Sequence, residues 1–154
     1  MRKDATSIRV LAPLDIPAME GMLTLFGEAF HDAATYNGNR PSKAYLERLL
    51  ASDYFIAIAA LQGDEVVGGL AAYELRKFER ERSEIYIYDL AVAQAHRREG
   101  IGTALILELK NIAAARGSYV IFVQADRGDE AAIALYTKFG AREDVLHFDI
   151  PAAG

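Results

Sequence analysis

Apolar positions along this chain change period several times, and each change predicts an element. Ser7 to Ala12 reads as a first strand. Asp15 stands where it can cap a helix, with Pro17 tolerated in the first turn. Met19, Met22, Leu23, Phe26 and Phe30 then recur at helical spacing, a stripe read as core packing. Tyr36-Asn37-Gly38-Asn39-Arg40-Pro41 interrupts the pattern as a loop. Ser42 can cap a second helix, with Tyr45, Leu46, Leu49 and Leu50 on one face.

Downstream the period shortens. Tyr54 to Leu61 and Val66 to Leu75 are apolar runs of strand length around the turn signal Gln62-Gly63-Asp64-Glu65, which predicts a hairpin. Arg76 to Arg82 is a charged connection, and Glu84 to Val92 a third strand of this group. A polar, glycine-containing loop, Gln94 to Gly102, precedes a helix over 103–116 that carries Ile101, Ala104, Leu105, Leu109 and Ile112 on one stripe and stops at Gly117. Tyr119 to Ala125 reads as a strand, Asp129 to Phe139 as a helix closed by Gly140, and Val145 to Ile150 as a last strand. The order β-α-α-β-β-β-α-β-α-β predicts a mixed α/β domain over 1–154, its sheet covered by helices on both faces. Segments 84–92, 103–116 and 119–125 form a βαβ unit, so the two strands should run parallel.

Composition narrows the function classes. The 154 residues, 52% hydrophobic and 25% charged, suit one globular domain rather than a disordered chain. With no cysteine there is no disulfide, no thiolate zinc site and no enzyme-bound thioester. His31, His96 and His147 are not at metal-ligand spacing, so no metal is expected. A net charge of −5 disfavours nucleic acid and suits a cationic partner. Met1-Arg2-Lys3-Asp4-Ala5-Thr6-Ser7 does not read as a leader, and no apolar run approaches the ~20 residues of a membrane span. A cytoplasmic protein, with no membrane partner, is the expectation.

The chemistry concentrates at one loop. Strand 84–92 runs into His96-Arg97-Arg98-Glu99-Gly100-Ile101-Gly102 and then a helix. Arg-x-x-Gly-x-Gly at a helix start is an anion cradle. Glycines admit a phosphate close to the backbone, the free N–H groups of the first turn point at it, and the helix dipole favours its charge. Arg97 and Arg98 can add charge-assisted contacts. The spacing is not that of a dinucleotide-binding fold, and no Gly-Lys-Ser/Thr marks a nucleotide triphosphate loop.

Three further features accompany the loop: Asp89-Leu90-Ala91-Val92 before it, Ala132-Ile133-Ala134-Leu135-Tyr136-Thr137-Lys138-Phe139-Gly140 after it, and the element order. Together they resemble the GNAT acetyltransferase superfamily. Arg97 to Gly102 matches one signature of that superfamily and Ala132 to Gly140 another. Segments 83–92, 119–126 and 147–150, and the stretch from Leu25-Phe26 to Ala34-Thr35-Tyr36, look like the type I aminoglycoside 3-N-acetyltransferases. The chain stops soon after Ile150, so the superfamily's usual two-strand finish looks shortened to one strand.

The resemblance implies acetyl-coenzyme A as co-substrate. Its pyrophosphate would sit on the Gly100, Ile101, Gly102 and Thr103 amides, within the loop that also includes Arg97, Arg98 and Glu99. Its pantetheine would lie along Leu90, Ala91 and Val92, where strands 84–92 and 119–125 splay apart and leave backbone groups in need of partners. An amide near Leu90 or Val92 would hold the thioester oxygen. Tyr136 matches the tyrosine that protonates the departing thiolate, a role a phenol near pKa 10 can fill; a core tyrosine is the plainer reading. Asp129 and Ala132 open the helix that touches pantetheine, and Asp129 is equally well read as an N-cap.

A cationic aminoglycoside, the implied substrate, must lose a proton from its amine before attacking the thioester. Asp126 is the first candidate for base or anchor. Glu84 is the second: strand parity puts it with Tyr86, Tyr88, Leu90 and Val92 unless a bulge intervenes. Each is otherwise an ordinary strand-end or surface carboxylate. Glu28, Asp32, Asp126, Asp129 and Asp149 would line an acidic cleft only if they converge, and Tyr36 belongs to the stretch the resemblance places against substrate. The absent cysteine supports direct transfer in a ternary complex over a covalent intermediate. The alternatives are a GNAT enzyme for another polyamine or protein amine, and a non-catalytic acyl-coenzyme A-binding module. Members of the family often dimerise, which admits a homodimer.

Overall fold

The computed structural model describes residues 5–154. The expectation that Met1 to Asp4 opens no leader lies outside them. The described residues fall into two compact units, divided between Gln124 and Ala125.

The first unit is a five-stranded sheet in the order β1-β2-β3-β4-β5, built from Thr6–Val10, Phe55–Gln62, Glu65–Arg76, Ser83–Val92 and Ser118–Val123. The first four strands pair antiparallel, and β4 pairs parallel with β5 across helix α4 (Ile101–Arg116), as the βαβ reading predicted. Helices α1 (Ile16–Ala29), α2 (Ala33–Asn37) and α3 (Lys43–Ala51) precede β2.

Two cores explain the mixed periods. On one face Met19, Met22 and Phe26 of α1 and Leu46 and Leu50 of α3 pack on Phe55, Ala57, Ala59 and Leu61 of β2. On the other, Ile101, Leu105, Leu109 and Ala113 of α4 pack on Ile56, Ile58, Val67, Leu70, Ile85 and Ile87. Strand β2 is therefore apolar from Phe55 to Leu61 because both its faces are covered. The alternation of Ile with Ala along it lets α1 approach one side closely.

Local signals place the helix ends well. Ser42 Oγ accepts from the Tyr45 N–H at 3.1 Å, and Gly117 closes α4 at φ 72°. Three expectations need correction. Asp15 occupies the N-cap position of α1, but its carboxylate turns back to the Ala12 N–H at 2.8 Å and to Arg9, so it caps nothing. The segment read as a loop from Tyr36 is partly helical: Asp32 caps α2 by accepting from the Thr35 N–H at 3.2 Å. The final strand expected at 145–150 is not formed, and those residues carry no regular structure.

The second unit contains α5 (Glu130–Thr137). Asp129 caps it, its carboxylate accepting from the Ala132 N–H at 3.1 Å. No helix among the described residues is long and apolar enough to cross a membrane.

Candidate active site

The parallel pairing of β4 with β5 is short. It begins at Ser83 and Ser118, whose hydroxyls meet at 2.7 Å, and ends at Ile87 and Val123. From Tyr88 to Val92, β4 continues with β3 as its only strand partner among the described residues. Strand β5 ends at Val123, so on that side β4 runs on past its parallel partner, and its backbone groups there suit an extended ligand carrying amides.

A β-bulge sits where that pairing ends. Ala71 pairs with Asp89 and Ala72 with Ile87, so Tyr88 is the extra residue. Bulges sharpen twist and re-aim side chains, and this one reverses the parity of β4. Before it, Ile85 and Ile87 face α4; after it, Leu90 and Val92 do, while Ala91 joins the core under α1. The parity expected for Glu84 is thereby corrected: its face continues through Tyr86 to Tyr88, Asp89 and Ala91, and not to Leu90 and Val92.

Asp89, which the sequence presents only as part of the Asp89-Leu90-Ala91-Val92 motif, is the half-buried carboxylate next to the bulge. The Tyr36 hydroxyl, 53 residues away, donates to both its oxygens at 3.1 Å. Tyr36 is itself clamped by Phe26 and Phe30, with ring centroids 5.9 and 5.7 Å away. Burial pushes the Asp89 carboxyl above the ordinary range, and the Tyr36 hydrogen bond works against that rise. The Tyr36 phenol is pushed well up, first by burial and then by the Asp89 charge, with a smaller push from Asp32. Tyr36 therefore stays a proton donor at neutral pH, and Asp32, Tyr36 and Asp89 form one acidic patch. The signal that could have found Asp89 was a carboxylate in the middle of a run, Ile85 to Val92, otherwise built of Tyr, Ile, Leu, Ala and Val.

The other candidates of this unit lie elsewhere. Glu84 sits at the zipped end of β4, bound by Lys77 Nζ at 3.3 Å and the Tyr119 hydroxyl at 3.0 Å. Arg82 lies 3.8 Å above the Tyr119 ring and completes that cluster. Glu28 is exposed on α1.

The glycine loop has the form of an anion cradle. A short 3-10 turn, Gln94–His96, leads to Arg98 at φ 63° and Gly100 at φ 79°, both left-handed. Arg97 and Arg98 are exposed, and His96 Nδ1 lies 3.2 Å from Glu99 Oε2. Helix α4 begins without a side-chain cap, its first internal bond running from the Ala104 N–H to the Gly100 oxygen at 3.0 Å. The N–H groups of Ile101, Gly102 and Thr103 thus have no intrahelical acceptor. Gly68 of β3 holds this turn in place: a Cβ there would lie 2.6 Å from Ile101 Cγ2.

Asp126, Asp129, Ala132, Tyr136 and Asp149 all belong to the second unit. Asp126 accepts from the Asp129 N–H at 3.0 Å through its main-chain oxygen, so these two and Ala132 gather at the start of α5. Tyr136 lies in the last turn, where its carbonyl accepts from Phe139 and Gly140. Asp149 is 2.8 Å from His147 Nε2. Among the described residues no His, Asp or Glu group is arranged to hold a metal ion.

Comparison with known proteins gives a consistent result. Residues 20–141 match the model of the acetyltransferase (GNAT) family. An aminoglycoside acetyltransferase from an uncultured soil metagenomic sample is 65% identical, with 97% of this chain and 99% of that one covered at a TM-score of 0.94. A second such enzyme, also from an uncultured soil metagenomic sample and solved with sisomicin, is 33% identical over 95% of both chains at a TM-score of 0.87. A third aminoglycoside N-acetyltransferase, solved with coenzyme A, is 14% identical over 99% of this chain and 98% of its own at a TM-score of 0.76, a likeness of fold alone. No curated relative matched.

Proposed function

This chain belongs to the GNAT acetyltransferase family, and from that premise we propose that it moves the acetyl group of acetyl-coenzyme A onto the 3-amine of a cationic aminoglycoside, within a ternary complex. The observation that carries the reading is the end of β4–β5 pairing at Ile87 and Val123, followed by a glycine turn into an uncapped helix. That pair of features supports two binding roles. Leu90, Ala91 and Val92 offer an open strand edge for pantetheine, and Arg97 to Thr103 offer N–H groups and cations for the pyrophosphate. Support for the aminoglycoside comes from the 65% identical neighbour and from the acidic patch of Asp32 and Asp89.

The chemistry asks three things of the chain. A strand amide near Leu90 or Val92 stabilises the oxyanion as the amine attacks the carbonyl. Tyr136 delivers the proton that the departing thiolate takes up. A carboxylate accepts the proton lost by the amine: Asp126 was the first candidate, and Asp89 now replaces Glu84 as the second, because a carboxyl raised by burial is a stronger base. Glu84 is engaged by Lys77 and Tyr119. Asp129 and Ala132 open the helix assigned to pantetheine, and we place the whole activity in one domain over 1–154, supported by a family match that crosses the boundary between the two units. Acetylation removes a positive charge that such an antibiotic uses to bind its target, so resistance is the expected consequence.

The test is coenzyme A release from acetyl-coenzyme A with gentamicin-type aminoglycosides, spermidine and peptide amines side by side, the product's position read by NMR. Turnover confined to aminoglycosides with acetylation at the 3-amine supports the assignment. Turnover on spermidine or peptides alone replaces the substrate, and tight coenzyme A binding without turnover on any amine removes the activity.

A further inference from the structure

Phe55, Tyr73, Tyr86 and Phe122 occupy one register row across β2, β3, β4 and β5. All four point to the face that carries Asp89, and neighbouring rings touch: Phe55 to Tyr73 at 5.3 Å between centroids, and Tyr86 flat on Phe122 at 4.7 Å. Tyr73 and Tyr86 are register partners on β3 and β4. The bulge inserts Tyr88 between them, edge-on to both, 6.0 Å from Tyr73 at 86° and 5.8 Å from Tyr86 at 73°.

Tyr88 is unusual for a residue inside a sheet. It is 62% exposed, yet two perpendicular rings fix its orientation. An aromatic ring held this way has already lost its rotamer freedom, so a ligand stacking on it meets little further entropic cost. Its surroundings select the ligand's charge: Asp89 is the next residue in the chain and Asp32 acts on the same tyrosine as Asp89. A ring face beside carboxylates attracts a cation to its π-system and accepts the C–H face of a sugar.

We infer that Tyr88, braced by Tyr73 and Tyr86, is a specificity-determining shelf for an ammonium-bearing sugar ring of the substrate other than the ring being acetylated. This rests on the aminoglycoside reading above and deepens it. Asp89 and Tyr36 take the reacting ring, and the aromatic row takes a second ring along the same face.

The experiment compares wild type, Tyr88→Phe and Tyr88→Leu on two acceptors, a three-ring gentamicin-type aminoglycoside and its isolated 2-deoxystreptamine core, with coenzyme A affinity measured for each protein. A cation–π contact of ordinary strength predicts that Tyr88→Leu lowers kcat/KM for the three-ring acceptor about 3- to 30-fold, chiefly through KM. The same variant should change the core's value by less than about twofold, and leave coenzyme A affinity alone. Tyr88→Phe keeps the π-face and should stay within about twofold of wild type on both acceptors. Equal losses on both acceptors, no loss on either, or weakened coenzyme A binding each overturn the shelf. If wild type acetylates the core but Tyr88→Leu does not discriminate, the shelf fails while the substrate reading stands; if wild type acetylates no aminoglycoside, both fall.

Discussion

Replacing Gly68 by alanine puts a methyl where β3 and the start of α4 are in contact. The new Cβ would lie 2.6 Å from Ile101 Cγ2, 3.3 Å from Ala60 Cβ and 3.5 Å from Leu105 Cδ1. The contact with Leu105 is ordinary and that with Ala60 is tight; the one with Ile101 is about 1 Å inside ordinary carbon contact. Ile101 is 3% exposed and is the first residue of α4, so it cannot swing into solvent and must carry the helix start with it. Overpacking of this kind costs about 1–3 kcal/mol, or roughly 3–10 °C in Tm for a domain of this size. The displaced turn holds the N–H groups of Ile101, Gly102 and Thr103. Loss of one charge-assisted hydrogen bond to a diphosphate is worth about 1.5–3 kcal/mol, so coenzyme A should bind roughly 10- to 100-fold more weakly. Calorimetric titration of coenzyme A and thermal melts measure both. The double variant Gly68→Ala/Ile101→Leu removes the β-branch methyl that clashes while keeping side-chain volume, and should recover most of each loss. Unchanged affinity in Gly68→Ala, or a loss that Ile101→Leu does not relieve, would show that close approach at this glycine does not position the cradle.

Other expectations address single links. Gly100 sits at φ 79° with open space around its Cα, so Gly100→Ala meets strain rather than a clash and should cost about 1–2 kcal/mol, seen as a lower Tm and weaker coenzyme A binding. Burial raises the Asp89 carboxyl in the folded state, so the folded form gains relative stability when Asp89 is protonated; that gain is complete below the ordinary carboxylate range and disappears as pH rises through the raised value. Melts of wild type against Asp89→Asn across pH should show this slope in wild type only. Tyr36→Phe removes the donor that holds Asp89 down, so the acid limb of kcat/KM should move to higher pH if Asp89 accepts the amine proton, and stay in place if Asp126 does. Tyr136→Phe should lower turnover roughly 10- to 10⁴-fold with little effect on coenzyme A affinity; undiminished turnover removes the proton-donor role.

Much of the frame was legible because it is written over short distances. Ser42 and Asp129 cap helices through N–H groups three residues ahead, and Gly117 ends α4 because the chain there must turn left-handed. The loop from Arg97 to Gly102 announces an anion site because backbone freedom and positive charge fall together ahead of an apolar stripe. Asp15 shows where such reasoning stops: its spacing suits a cap, but the Ala12 N–H and Arg9 compete for the same carboxylate and hold it.

The sequence by itself determined the mixed α/β frame, the caps at Ser42 and Asp129, the stop at Gly117 and the glycine turn, since caps, periods and turns depend on neighbours a few residues apart. Only the tertiary structure decided which residues share the face of β4 beyond Ile87. The insertion of Tyr88 is set by packing from both sides of the sheet at once, with Ile85 and Ile87 committed to one core and Ala91 to the other. That one-residue slip turns Asp89 toward Tyr36, which waits at the end of a separate stretch of chain. A strand's local pattern cannot announce a change of register, because register is settled where two cores compete for the same strand.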